Sequence, residues 1–324
     1  MANLPSVVIL GDYEQALRRF SNWTRVDKRC HIAIYHEPLH EEALYEAVKD
    51  ADVIVLVRDR IAFNETLIAR LPKLKLFIFT GKRNGTLDAS ALISRNIPIA
   101  CTPGGPSKET TTELTWALIL GASKHLIRQN KLVGSGSWRD ECSVLPMLAG
   151  ERLGIIGLGS IGSSVARAGK AFGMELVTWS PNMTPERAAA QNAKSVSLEE
   201  LLKTSKVVSL HLVAGPNTKG LIGGTELAMM RPDALLVNTS RSALINMHAL
   251  QNALVAGRPG QAAIDVFDIE PLPAGDPLRG APNLLTTPHL GFVAEPVFTE
   301  FSKGIIETLE AWLDQKPVPH PFQP

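Results

Sequence analysis

The sequence predicts an α/β protein with two doubly wound parallel sheets. Three observations support this fold class: short continuous apolar runs recur along the chain, segments with helical spacing lie between them, and 324 residues favour two domains over one. Apolar runs that do not alternate with polar residues are typical of strands covered on both faces by helices. Repeated strand, helix and strand segments in turn indicate a parallel sheet.

The first series of elements fills the first hundred residues. Strands are predicted at residues 6–10, 31–35, 52–57, 74–80 and 97–101, with helices at 41–48 and 65–71. The longest uninterrupted helical stretch follows, from residue 107 to about residue 133, and ends at a glycine and serine run.

A second series begins after an irregular stretch at residues 142–149. Strands are predicted at 153–157, 175–179, 206–212, 234–239, 261–267 and 284–287, with helices at 161–172, 198–202, 225–230 and 247–256. These are enough for six parallel strands, and a closing helix is expected at 294–313.

Composition excludes several classes of partner and site. The 33 Lys and Arg residues nearly balance 32 Asp and Glu residues, and no long basic run occurs, so neither a nucleic-acid nor a membrane partner is expected. No apolar segment approaches the length that spans a bilayer, and we expect a cytoplasmic protein. Cys30, Cys101 and Cys142 form no Cys-x-x-Cys pair, so we expect no disulfide framework and no metal site.

A glycine-rich loop follows the first strand of the second series. Gly157, Gly159 and Gly162 stand in the spacing GxGxxG between the strand at 153–157 and the helix at 161–172. The first glycine permits a tight turn, the second lets a pyrophosphate approach the backbone, and the third allows close packing of the helix. The segment, with Ser160 and Ile161, therefore predicts a dinucleotide site in a Rossmann domain; a tight turn without a ligand is the alternative.

The next strand ends without the carboxylate that usually binds the adenosine ribose of NAD. Ser180 stands at that end, and Asn182, Thr184 and Arg187 follow it. No negative charge is present there to repel a 2′-phosphate, so the cofactor can be NAD or NADP, and the sequence does not decide between them. Arg187 is equally consistent with a solvated helix residue.

Three later segments each carry a reactive side chain at or just beyond a strand end. These side chains are Arg241, Glu270 and His289. Open parallel sheets bind their ligands at the carboxyl ends of the strands. Taken singly they could be a surface arginine, a loop carboxylate and a structural histidine; together, downstream of the glycine loop, they predict a catalytic set. His211 also lies near a strand end, but no partner for it is apparent, and we interpret it as structural.

With these segments in place, the chain resembles the D-isomer-specific 2-hydroxyacid dehydrogenases over essentially its whole length. The motifs that carry the resemblance, besides the glycine loop and the three reactive segments, are Leu74-Lys75-Leu76, Thr80-Gly81-Lys82-Arg83-Asn84 and Glu113-Leu114-Thr115.

The resemblance implies Arg241 as the cation that orients the substrate, His289 as the acid/base and Glu270 as the carboxylate paired with it. It places Asp265 near the nicotinamide amide, and backbone N–H groups of the 80–85 loop on the substrate carboxylate. Further cofactor contacts are expected from Thr218, Thr239 and Gly291, and further substrate contacts from Arg58, Thr80, Gly81, Arg83 and Asn84.

The same family implies the domain plan and the partners. A discontinuous substrate domain, flavodoxin-like, is expected at 1–100 plus 292–324, and an NAD(P)-binding Rossmann domain at 101–291. The expected partners are a small 2-keto or 2-hydroxy acid and a second copy of the chain, in a homodimer.

The predicted reaction needs such a set of residues. Reducing a 2-keto acid takes a hydride from the nicotinamide and a proton on the keto oxygen, and histidine suits the proton step near neutrality. A neighbouring carboxylate stabilises the imidazolium, and an arginine offers paired donors to the substrate. Ser242, Thr112 and Ser180 depart from the family pattern, which leaves substrate shape and cofactor choice open.

Two other functions remain open at this point. A formate-type dehydrogenase uses the same scaffold, but the histidine partner there is an amide, and Glu270 argues against it. A corepressor-like protein that senses NAD(H) is the alternative from a different class.

Overall fold

The computed structural model describes residues 4–323 and divides them into two units. The first unit contains the described residues up to Ser107 together with those from Val293 onward, and the second runs from Lys108 to Phe292. The sequence predicts boundaries at residues 100 and 291, so the chain leaves the first unit and enters the second later than expected. Residues 1–3 and 324, which the expected ranges include, lie outside the described part of the chain.

The secondary structure alternates as the fold class requires. In residues 4–323 the strands are β1 (Ser6–Leu10), β2 (His31–Tyr35), β3 (Val53–Leu56), β4 (Leu76–Phe79), β5 (Ile99–Cys101), β6 (Arg152–Ile156), β7 (Glu175–Trp179), β8 (Lys194–Ser195), β9 (Val207–Leu210), β10 (Leu235–Asn238), β11 (Gln261–Ile264) and β12 (Leu284–Thr286). The α-helices are α1 (Thr24–Asp27), α2 (Glu41–Val48), α3 (Glu65–Ala69), α4 (Ala89–Ser94), α5 (Ser107–Ser123), α6 (Leu126–Gly134), α7 (Ser160–Ala171), α8 (Pro185–Ala189), α9 (Leu198–Thr204), α10 (Gly224–Met229), α11 (Met247–Val255) and α12 (Glu295–Leu313).

The first unit is built on a five-stranded parallel sheet in the order β2-β1-β3-β4-β5. This is the strand order of flavodoxin-like folds, and it confirms the predicted class. Strands β3 and β4 are buried at every residue, as continuous apolar runs covered on both faces should be. Helix α12 belongs to this unit, where the Ser302 hydroxyl donates to the Leu17 carbonyl at 2.8 Å and accepts from the Trp23 indole at 3.0 Å.

The second unit is built on a seven-stranded parallel sheet in the order β12-β11-β10-β9-β6-β7-β8. The predicted Rossmann architecture is confirmed, with a reversal of strand order between β6 and β9. The sequence predicts six strands in this sheet, and β8 is the seventh. This edge strand contains only Lys194 and Ser195, opposite Val177 and Thr178, and two polar residues give no apolar run to detect.

The long helix predicted at residues 107–133 is wrong, because the chain breaks it into α5 and α6. His125 adopts the left-handed conformation with φ 47°, which ends one helix and redirects the chain into the next. The preceding Lys124 donates its ammonium group to the Pro146 carbonyl, and the His125 ring lies 3.0 Å from the Gln261 amide nitrogen. Tertiary contacts at the break therefore override a helical sequence pattern.

The carboxyl ends of six strands in the second sheet lie in one row. Pairing in register aligns Ile156 with Trp179 and Leu210, and aligns Asn238 with Leu210 and Ile264. The row continues from Ile264 to Thr286. Residues that follow these positions in the sequence are thus brought to the same edge of the sheet.

None of the helices in residues 4–323 combines the length and the hydropathy needed to cross a lipid bilayer.

Candidate active site

The glycine loop lies between β6 and α7, as predicted. Gly157 has φ +98°, and a Cβ atom there would lie 2.7 Å from the His211 carbonyl oxygen. At Gly162 a Cβ atom would lie 2.1 Å from the Gly157 carbonyl oxygen. A side chain is therefore excluded at the first and third glycines by backbone, not by movable groups.

The middle glycine has a different environment. No atom lies within 4 Å of a Cβ built on Gly159, which is the residue before α7. Backbone here faces open space beside the N-terminus of a twelve-residue helix, where N–H groups and partial positive charge favour an anion. The loop thus fits the pyrophosphate of a dinucleotide: it is closed where the strand and helix pack and open where a phosphate would lie.

Two polar residues border this loop. The Gly157 N–H donates to the Trp179 carbonyl at 2.9 Å, so Ser180 stands directly beside the turn. The Lys108 ammonium group lies 3.4 Å from the Ser160 hydroxyl, at the start of α7. Lys108 adds a positive charge where an anion is expected, and the sequence analysis does not identify it. Its signal was weak, since a lone lysine at a helix start is usually a surface residue.

Beyond Ser180 the described chain offers no acidic residue until Glu186. The Arg187 guanidinium donates to the Asn182 carbonyl, so this arginine folds back over the turn that follows β7. Asn182 itself is exposed.

The catalytic candidates follow three adjacent strands. Arg241 comes three residues after β10, Glu270 six residues after β11, and His289 three residues after β12. Because the ends of β10, β11 and β12 are in register, their following loops share one edge of the sheet. The structure therefore brings the three predicted side chains to the same region of one unit.

Glu270 and His289 form a direct pair. The Nδ1 atom of His289 lies 2.6 Å from Oε2 of Glu270, and Oε1 of Glu270 accepts the Phe267 N–H at 2.9 Å. Burial opposes ionisation of Glu270, but its hydrogen bond to His289 and the charge of a protonated His289 outweigh burial and keep the pKa of Glu270 below its ordinary value. Both carboxylate oxygens are thus occupied, which fixes the orientation of the imidazole and leaves Nε2 for another partner.

His289 itself adopts the left-handed conformation, with φ +54°. A non-glycine residue in this region is uncommon and persists where the surroundings determine it. The rings of Phe292 and His289 make a T-shaped contact, with centroids 5.6 Å apart and planes at 81°. The imidazole is therefore bounded by a carboxylate at one nitrogen and by an aromatic ring.

The loop that carries His289 is tied to Asp265, which is fully buried. Its carboxylate accepts the Thr287 hydroxyl at 2.6 Å, the Leu290 N–H at 2.7 Å and the Gly291 N–H at 2.9 Å. Burial raises the pKa of Asp265, although these three hydrogen bonds favour its charged form. In this structure Asp265 organises the loop around His289, a role that the sequence analysis does not assign to it.

Arg241 is exposed, on a turn shaped by a buried neighbour. The Asn238 amide donates to the Arg241 carbonyl at 2.9 Å and accepts the Ser240 N–H at 3.0 Å. The Arg241 guanidinium donates to the Ser240 carbonyl at 2.8 Å, and its charge contributes to lowering the pKa of Glu270. The arginine is thus electrostatically coupled to the Glu270–His289 pair.

Two further predicted cofactor residues make structural hydrogen bonds. The Thr239 hydroxyl lies 2.8 Å from that of Thr115, in a buried contact. Thr218 accepts the Gly215 N–H at 2.9 Å and donates to the Val213 carbonyl at 2.9 Å, which closes the turn after β9.

The prediction that His211 has no partner is wrong. Its Nε2 atom lies 2.8 Å from the hydroxyl of Ser209, a buried residue on β9. Burial lowers the pKa of His211 to about 4, so this ring is neutral at pH 7. The partner lies two residues earlier on the strand, and sequence alone does not show that the two side chains meet.

In the first unit, the predicted substrate residues cluster at the ends of β3 and β4. Arg58 has φ +60°, donates its N–H to the Thr80 hydroxyl at 3.0 Å, and accepts the Asn84 amide on its carbonyl at 3.1 Å. A Cβ atom on Gly81 would lie 2.0 Å from Nη1 of Arg58, so the guanidinium rests against the backbone of the loop. Arg83, by contrast, is exposed.

The first two N–H groups of the 80–85 loop already have partners within the protein. The Thr80 N–H donates to the Leu56 carbonyl at 2.9 Å, and the Gly81 N–H donates to the Thr102 hydroxyl at 3.0 Å. These two groups are engaged within the protein. The cradle that the resemblance implies for a carboxylate therefore depends on the later part of the 80–85 loop and on Arg58.

Three threonines follow one another at 110–112, and the sequence singles out only Thr112. Its hydroxyl donates to the Lys108 carbonyl within its own helix. The hydroxyls of the neighbours Thr110 and Thr111 both donate to the carbonyl of Gly291. Among the described residues no cluster of three or more His, Cys, Asp or Glu residues is arranged to hold a metal ion.

Comparison with known proteins agrees with this arrangement. The family model for the D-isomer specific 2-hydroxyacid dehydrogenase, NAD binding domain, matches residues 116–291 of the sequence. The glyoxylate reductase of Aeropyrum pernix is 34% identical over 293 residues, which are 88% of this chain and 87% of that one. The D-3-phosphoglycerate dehydrogenase of Methanocaldococcus jannaschii is 34% identical over 258 residues, which are 79% of this chain and 49% of that one.

A solved structure extends the likeness to the fold. The crystal structure of a phosphoglycerate oxidoreductase from Vibrio cholerae O395 has a TM-score of 0.89 and 31% identity, covering 96% of this chain and all of that one. With its glycine loop between β6 and α7 and its paired Glu270 and His289, the chain belongs to the D-isomer specific 2-hydroxyacid dehydrogenase family.

Proposed function

We propose that this chain reduces a small 2-keto acid to the D-2-hydroxy acid with NADH or NADPH, and catalyses the reverse oxidation. The observation that carries this proposal is the 2.6 Å contact between His289 and Glu270 on the sheet edge that also bears the glycine loop and Arg241. An acid/base, a carboxylate that stabilises its protonated form and a substrate-orienting cation are what the reaction requires of the protein.

The dinucleotide, when bound, supplies the hydride that the keto carbon receives. His289 donates the proton to the keto oxygen from Nε2, since Nδ1 is held by Glu270. Glu270 stabilises the imidazolium before the transfer and keeps the ring oriented after it. Arg241 binds the substrate carboxylate or carbonyl with paired N–H donors, which orients the carbonyl for both transfers.

Residues of the first unit bind the carboxylate in this proposal. The Arg58 guanidinium, held against Gly81, supplies a charge, and the N–H groups at residues 82–85 supply donors. Arg83 and Asn84 lie on the same loop, where Asn84 ties the loop to the Arg58 carbonyl. Thr80 and Gly81 contribute by fixing the loop backbone.

The test is a spectrophotometric assay of nucleotide oxidation. Glyoxylate, hydroxypyruvate, pyruvate and phenylpyruvate are offered with NADH and with NADPH, and 3-phosphohydroxypyruvate is added because one relative is a phosphoglycerate dehydrogenase. We expect turnover with at least one of them and its loss in His289→Gln. Tight nucleotide binding without turnover of any 2-keto acid would favour a sensor of NAD(H). Oxidation of formate would favour the formate-type enzyme.

We infer that the site accepts NADPH as well as NADH. Ser180 stands beside the glycine loop, and no carboxylate is present between β7 and Glu186 to repel a 2′-phosphate. Comparing kcat/KM for the two nucleotides tests this inference. Ser180→Asp is expected to depress use of NADPH selectively, because it restores a negative charge at the ribose position.

We further infer a homodimer formed through the segment after α5. Helix α6 has no buried residue, although it is nine residues long and carries several apolar side chains. Of the twelve large apolar side chains exposed in the described chain, six lie between residues 126 and 147, a concentration typical of an interface. They are Leu126, Ile127, Val133, Trp138, Val144 and Met147.

Light scattering coupled to size-exclusion chromatography tests the homodimer. The wild-type chain is expected at about twice its 35.1 kDa mass, and Ile127→Asp at the monomer mass. Val255→Asp, which changes an exposed apolar residue outside the segment, is the matched control and should remain a dimer. A monomeric wild-type chain would contradict the inference.

A further inference from the structure

The carbonyl of Gly291 accepts two side-chain hydrogen bonds from one helix. The hydroxyls of Thr110 and Thr111, in the first turns of α5, both lie 2.8 Å from this oxygen. Gly291 is two residues beyond His289 in the loop that follows β12. Helix α5 thus makes direct contact with the loop that carries the candidate acid/base.

The N–H group of the same residue is also fixed. The Gly291 N–H donates to Oδ2 of Asp265 at 2.9 Å, and the Leu290 N–H donates to Oδ1 at 2.7 Å. A Cβ atom at Gly291 would lie 3.2 Å from that carboxylate and 3.4 Å from the Thr111 hydroxyl. The loop is therefore held at two kinds of backbone group, by a carboxylate on its N–H groups and by two hydroxyls on the Gly291 carbonyl.

The threonines are not required merely to fill space. Thr111 is 9% exposed, and a valine of the same shape would fill its position without a hydroxyl that needs a partner. Thr112, the next residue, shows the ordinary use of a helical threonine, because its hydroxyl donates at 2.9 Å to the carbonyl of Lys108 in its own helix. The hydroxyls of Thr110 and Thr111 have a contact that an ordinary helical threonine does not have, because they reach Gly291, 181 and 180 residues along the chain.

We propose that Thr110 and Thr111 are positioning residues for His289. By holding the Gly291 carbonyl they fix the loop against Asp265, and a fixed loop keeps Nδ1 of His289 on Glu270 in its left-handed backbone conformation. When the loop shifts, the imidazole loses alignment both with its carboxylate and with the substrate, since a displacement of about 1 Å in a catalytic group costs on the order of a hundredfold in rate. This inference rests on the proposed role of His289.

The test uses Thr110→Val, Thr111→Val and the double variant, with Thr112→Val as the matched control. The double variant is expected to lower kcat for keto-acid reduction on the order of tenfold, with KM within about twofold, because loss of two neutral hydrogen bonds affects orientation more than substrate affinity. The alkaline limb of its pH–rate profile is expected to move to lower pH, because a loosened pair stabilises the imidazolium less. Thr111→Ser keeps a hydroxyl at this position and is expected to keep most of the wild-type rate.

Hydrogen exchange on the protein without substrate gives a readout that does not depend on turnover. Amide exchange in the peptide around residues 287–291 is expected to be faster in the double variant and unchanged in Thr112→Val, since the Leu290 and Gly291 N–H groups are the anchored ones. Wild-type kcat, pH profile and exchange in the double variant would overturn this inference. So would a loss of thermal stability alone, with kcat and the pH profile unchanged.

The two proposals fail in different ways. If His289→Gln retains wild-type turnover, the proposed function is wrong whatever the threonine variants do. If His289→Gln is inactive and the double variant reacts like the wild type, only the positioning role of Thr110 and Thr111 is wrong.

Discussion

One carboxylate oxygen of Glu270 contacts Nδ1 of His289, and its other oxygen accepts the backbone N–H of Phe267. The Glu270 carboxylate therefore links the loop after β11 to the loop after β12. The contact of 2.6 Å to Nδ1 is that of a charge-assisted hydrogen bond. The two residues are 19 positions apart in sequence and come from adjacent strands. Their pairing is the feature on which the proposed chemistry depends.

Removing the charge of Glu270 should change the pH dependence of the reaction. The pKa of Glu270 is lowered, so its carboxylate is charged throughout the working range and stabilises the imidazolium that reduction consumes. In Glu270→Gln we expect the alkaline limb of keto-acid reduction to move to lower pH, because the neutral amide no longer stabilises the imidazolium. Stopped-flow or steady-state rates between pH 5 and pH 10 measure it. Asp268→Asn removes an exposed charge from the same turn and should leave the limb unchanged; equal profiles in wild type and Glu270→Gln would contradict the pairing.

Arg241→Lys tests whether the paired N–H donors of the Arg241 guanidinium bind the substrate. A lysine keeps the charge but not the paired geometry, so kcat/KM for the keto acid should fall by roughly thirtyfold, about 2 kcal/mol. The dissociation constant of the nucleotide should stay near the wild-type value. Arg258→Lys, at an exposed arginine elsewhere in the same unit, is the control. Wild-type kinetics in Arg241→Lys would remove this residue from the site.

The glycine loop allows binding to be separated from folding. Gly159→Ala places a methyl group where no atom lies within 4 Å, so the melting temperature should not change, whereas dinucleotide affinity should fall at least tenfold as the methyl meets the pyrophosphate. Gly162→Ala forces a methyl group to within 2.1 Å of a backbone oxygen, and both stability and affinity should fall. Calorimetric titration and thermal unfolding measure the two quantities. Undiminished affinity in Gly159→Ala would mean that the open space beside α7 does not hold the pyrophosphate.

The pKa of Asp233 predicts an acid-sensitive contribution to stability. Hydrogen bonds from Arg231 and Lys206 outweigh burial and lower its pKa to about 2. A depressed carboxyl pKa stabilises the fold above the unfolded value near 4, and the stabilisation is lost as the pH falls through the folded value. Because the Asp233 side chain is 52% exposed, solvent screening reduces the effect, and we expect Asp233→Asn to lower the free energy of unfolding by about 1 kcal/mol at pH 7. Urea unfolding from pH 7 to pH 3 should show this difference shrinking; a constant difference would contradict the linkage.

The parts of the fold that follow from local pattern were predicted well from the sequence. The predicted strands at 6–10 and 175–179 coincide with β1 and β7, since buried parallel strands are rich in apolar residues. The break at His125 and the edge strand β8 were missed, because a left-handed residue and a two-residue polar strand are set by tertiary contacts. Propensity does not contain that information.

The candidate site divides in the same way. Glu270 and His289 stand after strand ends, and rules for parallel sheets place such residues at one edge, so their pairing could be anticipated. The contacts of Thr110 and Thr111 with Gly291 could not, because they join residues about 180 positions apart through hydroxyls that in sequence look like ordinary helix residues. The contact between His211 and Ser209 could not be predicted either, because it depends on the directions of the two side chains.

The discontinuity of the first unit has a consequence for biogenesis. All five strands of its sheet precede Ser107, yet Ser302 on α12 bonds to Leu17 and Trp23, and Pro321 pairs with Ala100. On the ribosome these early strands must wait for the whole second unit to emerge before their last partners exist, whereas the second unit is contiguous and can fold as soon as it leaves the exit tunnel. The nascent chain therefore carries this sheet without its last helix while the second unit is synthesised, and we expect its uncovered apolar surface to be most prone to aggregation in that interval.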